Sequence, residues 1–388
     1  MVDKIFKYIK DEEERIKKTF NLIASENLPS PNILKALGSI INFKYSEGNV
    51  GRRNRYYNGN RNIDKIEEEC IKRAKKLFKC KFANVQPISG SIMNIALITY
   101  LLKPGDTILS LDLKSGAHLT HGSSVNLIGK LYKIINYNLD SCGFIDYEDL
   151  KEKALKYKPK LIISGTTSYP RKINFKKIGE IAKKINAYHL VDISHLAGLV
   201  VSGFHQSPIL YADFVTTTTH KTLRSVRGGL ILSNKLKYKN IINKIIFPHF
   251  QGGPHPNIIA ANAIALKEAG TRNFKLYIKK VLENTKYLCE KCKKNGFKIV
   301  SGGTDTHQFL IDLNKENING REFADALEKE NIIVNANVIP NDKGTQYYPK
   351  GIRLGCALVT TQNISKRKLN EIANKIKEVF VELKNKKM

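Results

Sequence analysis

The sequence predicts an α/β protein with a large, mostly parallel sheet covered on both faces, followed in the chain by a smaller α+β domain. Three observations predict it. Apolar runs with little polar alternation, such as "PKLIISG", "YHLVDIS" and "ADFVTTTT", recur through the first two thirds of the chain; strands buried on both faces read this way. Helical patterns such as "FKKIGEIAKKINA" stand between them, the alternation expected of parallel crossover units. A long helix begins around Asn257–Ala265, and after it come shorter strands and helices ("HQFLIDL", "GREFADALEKENIIVN", "GIRLGCAL"). We divide the chain into an N-terminal helix and arm (1–50), a large α/β domain (51–265) and a small α+β domain (266–388).

The elements follow in order. "MVDKIFKYIKDEEERIKK" is an amphipathic charged helix and lacks the apolar core of a signal peptide. "NLIASENLPSPNILKALGS" is turn-rich, then helical. "NFKYSEGNVGRRNRYYNGNRNID" is dense in Gly, Asn, Arg and Tyr and reads as a long loop, a kind of segment that is often functional in compact domains. A helix resumes from Ile66 to Leu77. "FANVQPISGSIMNIALITYLLKPGDTILSLDL" then reads strand, turn, helix, turn, strand, and "KLYKIINYNL" and a helix around Tyr147–Lys156 continue the alternation.

Bulk properties bound the function. The chain of 388 residues has room for two or three domains. No apolar run reaches the roughly 18 residues needed to cross a bilayer, so no membrane role and a cytoplasmic location are expected. The six cysteines are scattered; Cys289 and Cys292 form a single CxxC with no second pair. A structural zinc site takes four ligands, so we expect reduced thiols and no metal. The net charge is +30, from 65 Lys and Arg against 35 Asp and Glu. The lysines are spread over helical segments without an aromatic-rich basic stripe or an RNA-binding signature, so solvated helix faces are expected rather than a nucleic-acid partner.

The chemistry should lie where strands end, because ligands of parallel sheets bind at the C-terminal edge. Ser89-Gly90-Ser91 opens a helix after one strand; hydroxyls and free amides there suit a phosphate, although alone the motif is equally an ordinary cap. Asp192 closes "YHLVD", with His195 three residues on. In "DFVTTTTHKTLRSVRGGLIL" four threonines lead to His220 and Lys221, where a strand gives way to a loop. Taken alone, that segment also reads as an edge strand with a solvated basic end. An anion cradle, a buried acid and a lysine on three strand ends together match pyridoxal phosphate chemistry: the lysine forms a Schiff base, the acid keeps the pyridine nitrogen protonated, and the loop grips the phosphate.

The stretches "LIASEN", "KYSEG", "ANVQPISGS", "GAHLTHGS", "VDISHLAGLV", "VTTTTHKTL", "RGGLIL", "FQGGP", "SGGTDTHQFLIDL", "NVIPND" and "GIRLG" resemble serine hydroxymethyltransferases, fold-type I pyridoxal-phosphate enzymes with the aspartate aminotransferase-like fold. They occur in family order over residues 21–355. The resemblance implies that Lys221 carries the cofactor, Asp192 pairs with the pyridine nitrogen, His195 holds the ring or its 3-oxygen, and His118 stacks on it. Thr167 joins the cofactor set. Ser89, Gly90 and Ser91 would bind the phosphate, with Gly252 and Gly253 reaching it from a neighbouring subunit, which implies a homodimer or tetramer. Arg353 would clamp the substrate carboxylate, and Ser25 and Tyr45 would line the amino-acid site. Glu47 would move the proton at the hydroxymethyl group, with His220 and Tyr57 in the catalytic set and Tyr56 beside Tyr57 at the substrate and folate pocket. The implied reaction passes the hydroxymethyl carbon of serine reversibly to tetrahydrofolate, giving glycine.

The sequence departs from the family pattern in its loops. Ser225-Val226 replaces Gly-Pro, Ile92 replaces Gln, Ala336 replaces Lys before Asn337, "CALVT" follows Gly355, and Asn49–Tyr57 carries two extra residues ahead of Tyr56 and Tyr57. These departures frame two rival expectations: a folate-independent aldolase of β-hydroxy amino acids, and an RNA-binding paralogue without catalysis.

Overall fold

A computed structural model describes residues 3–51 and 54–387. The chain forms two compact units, residues 27–279 and a second made of 1–26 with 280–388, and the division falls inside the helix Arg272–Lys294.

The larger unit is built on a seven-stranded sheet. Its order from edge to edge is Phe82–Asn84, Gly229–Ser233, Phe214–Thr218, Tyr188–Asp192, Leu161–Ser164, Thr107–Leu111 and Lys133–Tyr137. The last five of these pair in parallel, and Gly229–Ser233 runs antiparallel to both of its neighbours. The sheet is therefore mixed but mostly parallel. All five residues of Phe214–Thr218 are buried, and the strand lies inside the sheet, paired with Tyr188–Asp192 on one side and Gly229–Ser233 on the other. The edge-strand reading of the threonine run fails for this reason: its branched side chains pack on both faces.

Helices cover the sheet because their apolar stripes match it. Met93, Leu97 and Ile98 of the helix Gly90–Leu101 pack with Ile108, Leu161, Leu190, Phe214 and Ile231 in one core. The helix expected from Ile66 begins earlier and spans Arg61–Phe78. Its first turn, "RNIDK", has little apolar periodicity; Asn60 precedes it and ties the chain with side-chain bonds to the Tyr45 and Tyr57 carbonyls at 3.1 and 2.9 Å.

The smaller unit has a four-stranded sheet ordered Asn335–Ala336, Gly351–Gly355, Gln308–Asp312 and Lys298–Ile299, antiparallel throughout. Phe20–Asn21 adds a parallel pairing with Ile332–Ile333. Cys289, Cys292 and Cys356 are buried in its core beside Phe309, Phe323 and Leu354, so the CxxC spacing reflects one apolar helix face. Among the described residues no helix is long and apolar enough to cross a membrane.

Candidate active site

Parallel pairing brings several strand ends to one edge of the large sheet. Asp192 pairs in register with Thr216, so the acid and the loop after Thr218 emerge together. The loops after Leu161–Ser164 and Thr107–Leu111 arrive at the same edge, stitched by the Thr167 N–H to the Gly116 carbonyl at 2.7 Å. Gly90, His118, Thr167, Asp192, His195 and Lys221 line one small cavity there, together with His121, Thr166, Ser194 and Thr218. Six residues singled out from sequence, spread over more than a hundred positions, thus share one space.

Asp192 is the best-held group in it. Its Oδ1 accepts the Ser194 N–H at 2.9 Å; its Oδ2 accepts the Asn94 amide at 2.8 Å and lies 3.4 Å from His121 Nε2. Burial alone would raise its pKa, but His121, then His118 and the Ser194 N–H, outweigh that and hold the carboxyl well below the usual range. Asn94 is aimed by its own partners. Its Oδ1 accepts from Thr216 Oγ1 at 2.9 Å, which leaves the NH₂ group for Asp192 and for Thr120 Oγ1 at 3.0 Å.

Lys221 sits three residues beyond its strand on a firmly held backbone. The Arg224 N–H and the Asn27 amide donate to its carbonyl at 3.1 and 3.2 Å. Thr222 Oγ1 donates to the His195 carbonyl at 2.9 Å and accepts the Gly198 N–H at 3.0 Å. These bonds fix the lysine loop to the loop after Asp192. Burial, with the Lys221 and Arg227 charges, lowers His220 to about 3, and His220 Nδ1 finds no hydrogen-bond partner among the described residues. Burial, His121 and Lys221 lower His118 to about 4 against a smaller pull from Asp192. Both rings are therefore neutral near pH 7, and His118 Nδ1 accepts the Thr120 N–H at 3.2 Å.

Ser89 caps the helix Gly90–Leu101, its Oγ accepting the Ile92 N–H at 3.3 Å. A helix leaves its first N–H groups unpaired, here those of Gly90 and Ser91. A Cβ on Gly90 would lie 2.5 Å from Thr218 Cγ2, so only glycine fits. Thr218 Oγ1 is buried at the cavity without a hydrogen-bond partner among the described residues. Free amides, an unpaired hydroxyl, an ionised acid and a lysine are the donor set that a phosphorylated pyridine aldehyde requires.

The remaining candidates fall into two other groups. Tyr45, Glu47, Gly252 and Gly253 form a cluster: a Cβ on Gly252 would lie 3.1 Å from Glu47 Oε1, and one on Gly253 would lie 3.9 Å from Tyr45 Cε1. Tyr57 packs on Tyr45 with ring centroids 4.9 Å apart, and the exposed Tyr56 meets Phe247 edge-on at 5.4 Å. None of these residues is among those lining the cavity of their own chain. Ser25 and Arg353 belong to the smaller unit. Arg353, buried on Gly351–Gly355, donates from Nε to Asn335 Oδ1 at 3.1 Å, and burial lowers its pKa to about 10. Ser25 lies in a turn held to that strand by the Gly355 N–H, which donates to the Leu22 carbonyl at 2.7 Å.

Of the two extra residues, Asn54-Arg55, Asn54 donates its N–H to the Gly51 carbonyl at 2.8 Å and Arg55 bridges Gly48; Arg52 and Arg53 lie outside the described residues. The Tyr56 N–H donates to the Glu47 carbonyl at 3.2 Å. The insertion therefore leaves Tyr56 joined to Glu47.

The family model described as serine hydroxymethyltransferase matches residues 1–376. A protein of Rickettsia bellii (strain RML369-C) described as a probable serine hydroxymethyltransferase is 46% identical over 386 residues, covering 99% of this chain and 91% of that relative. The chain belongs to the serine hydroxymethyltransferase family. Serine hydroxymethyltransferases are fold-type I enzymes, in accord with the sheet described above. Sequence reasoning missed Asn94, His121 and Thr218 as members of this site. Asn94 carried a signal, as the lone amide in the apolar helix "SIMNIALITYL", one turn after Gly90.

Proposed function

We propose that this serine hydroxymethyltransferase moves the hydroxymethyl carbon of serine to tetrahydrofolate with pyridoxal phosphate held on Lys221. The observation that carries the reading is the single cavity shared by Gly90, His118, Thr167, Asp192, His195 and Lys221. When bound, the cofactor supplies an electron sink for the pair released as the serine Cα–Cβ bond breaks.

The residues of the chain do the rest. The Gly90 and Ser91 amides, with Ser89, hold the phosphate at the positive end of their helix. Ionised Asp192 keeps a proton on the pyridine nitrogen, and the Ser194, Asn94 and His121 contacts keep that carboxyl ionised. His118 stays neutral and serves as a ring face, with His195 and Thr167 holding the ring edge. Lys221 supplies the amine, and neutral His220 beside it adds no competing charge. Arg353 takes the substrate carboxylate through its planar fork, with Ser25 beside it. Glu47 moves the proton at the serine hydroxyl, and Tyr45, Tyr56 and Tyr57 border the serine and folate space.

The cluster of Tyr45, Glu47, Gly252 and Gly253 supports a site shared between two copies, in which that cluster completes the partner's cavity. The chain loaded with pyridoxal phosphate is expected to convert serine to glycine. Borohydride reduction should leave the cofactor on the peptide containing Lys221, and Lys221→Ala should abolish both results. Cofactor fixed to a different lysine would overturn the assignment.

A further inference from the structure

Arg55 closes the loop that carries Glu47, and its side chain is only 2% exposed. Its Nε donates to Asp64 Oδ1 at 2.9 Å and its Nη2 to Glu67 Oε2 at 2.7 Å. Its Nη1 donates to the carbonyls of Ser46 at 2.6 Å and Gly48 at 2.8 Å. Those two carbonyls flank Glu47 on either side. Gln86 reinforces the same point, donating from Nε2 to the Gly48 carbonyl at 3.0 Å and to Glu67 Oε1 at 2.8 Å. The Gln86 carbonyl accepts from Gln251 Nε2 at 2.9 Å, next to Gly252.

The arrangement is expensive and specific. Glu67 is almost fully buried, and burial raises its pKa while Arg55 and Gln86 work against that. A buried carboxylate without its cation is strongly destabilising, so Glu67 and Arg55 belong together. Asp64 and Glu67 lie one helical turn apart on Arg61–Phe78 and present two acceptors to one guanidinium. Four acceptors in four directions suit that planar fork, and an ammonium cannot reproduce it. The Glu47 carboxyl itself takes no part in the network.

We propose that Arg55 positions Glu47 for proton transfer, gripping the main chain on both sides of it and leaving its carboxyl free. Arg55 is a positioning residue, and its role rests on the function assigned to Glu47 above. Rigid placement of a proton-transfer group sets the rate of the chemical step more than it sets substrate affinity.

The test is a double-mutant cycle on the cofactor-loaded enzyme, with Arg55→Lys, Glu47→Gln and the pair, and with Glu67→Gln as a second route should Arg55→Lys fold poorly. Arg55→Lys is expected to lower kcat for serine about tenfold or more, to leave KM within about twofold, and to retain full cofactor content. Hydrogen exchange over residues 44–51 should speed up. In the Glu47→Gln background, Arg55→Lys or Glu67→Gln should have little further effect on kcat, because residues acting through one another are not additive. Equal losses in both backgrounds, or an unchanged kcat in the single variants, would overturn the role of Arg55. A wild-type chain that binds the cofactor but leaves serine intact would overturn the functional reading and this role with it.

Discussion

Asparagine at position 192 keeps the shape of the side chain and removes its charge. In the structure that carboxylate is 6% exposed, accepts three hydrogen bonds and is held ionised against burial. Under the proposed function it faces the pyridine nitrogen, where it would meet a cation in a site largely closed to water. Breaking a buried charge pair by neutralising one partner costs about 3–5 kcal/mol. At about 1.4 kcal/mol per decade, that is a loss in cofactor affinity on the order of a hundred- to several-thousand-fold. The assay is titration of the cofactor-free protein with pyridoxal phosphate, followed by absorbance, with thermal unfolding of the cofactor-free form to show that the fold survives. A folded Asp192→Asn protein that binds the cofactor within threefold of wild type would refute the reasoning.

Three further outcomes follow from the same geometry. Gly90→Ala places a methyl 2.5 Å from Thr218 Cγ2 and should cost about 1–3 kcal/mol of stability, read as a lower urea midpoint together with weaker cofactor binding. Arg353→Lys exchanges a bidentate fork for a point charge, and steady-state kinetics should show KM for serine rising on the order of 10–100-fold, from about 1.5–3 kcal/mol of charged hydrogen bonding. His189 is fully buried between Ser164 Oγ and the Tyr211 carbonyl, and burial lowers it to about 4. Because its folded pKa lies below the unfolded one near 6.5, its contribution to stability is complete above that pH and fades as pH falls toward 4. At pH 5 the loss is about 2 kcal/mol, and denaturation of wild type against His189→Gln at pH 7 and 5 should show wild type losing that much more.

The parts of the site that were legible in sequence share a cause. Lys221 follows, and Asp192 closes, strands whose buried runs announce themselves, and the parallel pairing that unites those two ends follows from the alternation with helices. What escaped was set by contacts distant in the chain. Phe20–Asn21 pairs with Ile332–Ile333, and no local pattern foretells it. Arg55 reads as one more cation in a basic loop; its burial is decided by Asp64, Glu67 and two carbonyls that only the folded chain brings to it. The antiparallel strand Gly229–Ser233 was equally hidden, since a fully buried strand has the same apolar run in either direction.

The central claim is that the carbon lost from serine passes to a folate. The direct measurement is glycine formed from serine by the cofactor-loaded enzyme, with and without tetrahydrofolate. The account predicts that glycine appears at a useful rate only with tetrahydrofolate and in equal amount to methylenetetrahydrofolate. Glycine released equally fast without it, with threonine-like substrates cleaved as well, would contradict the account and assign the site to a folate-independent aldolase.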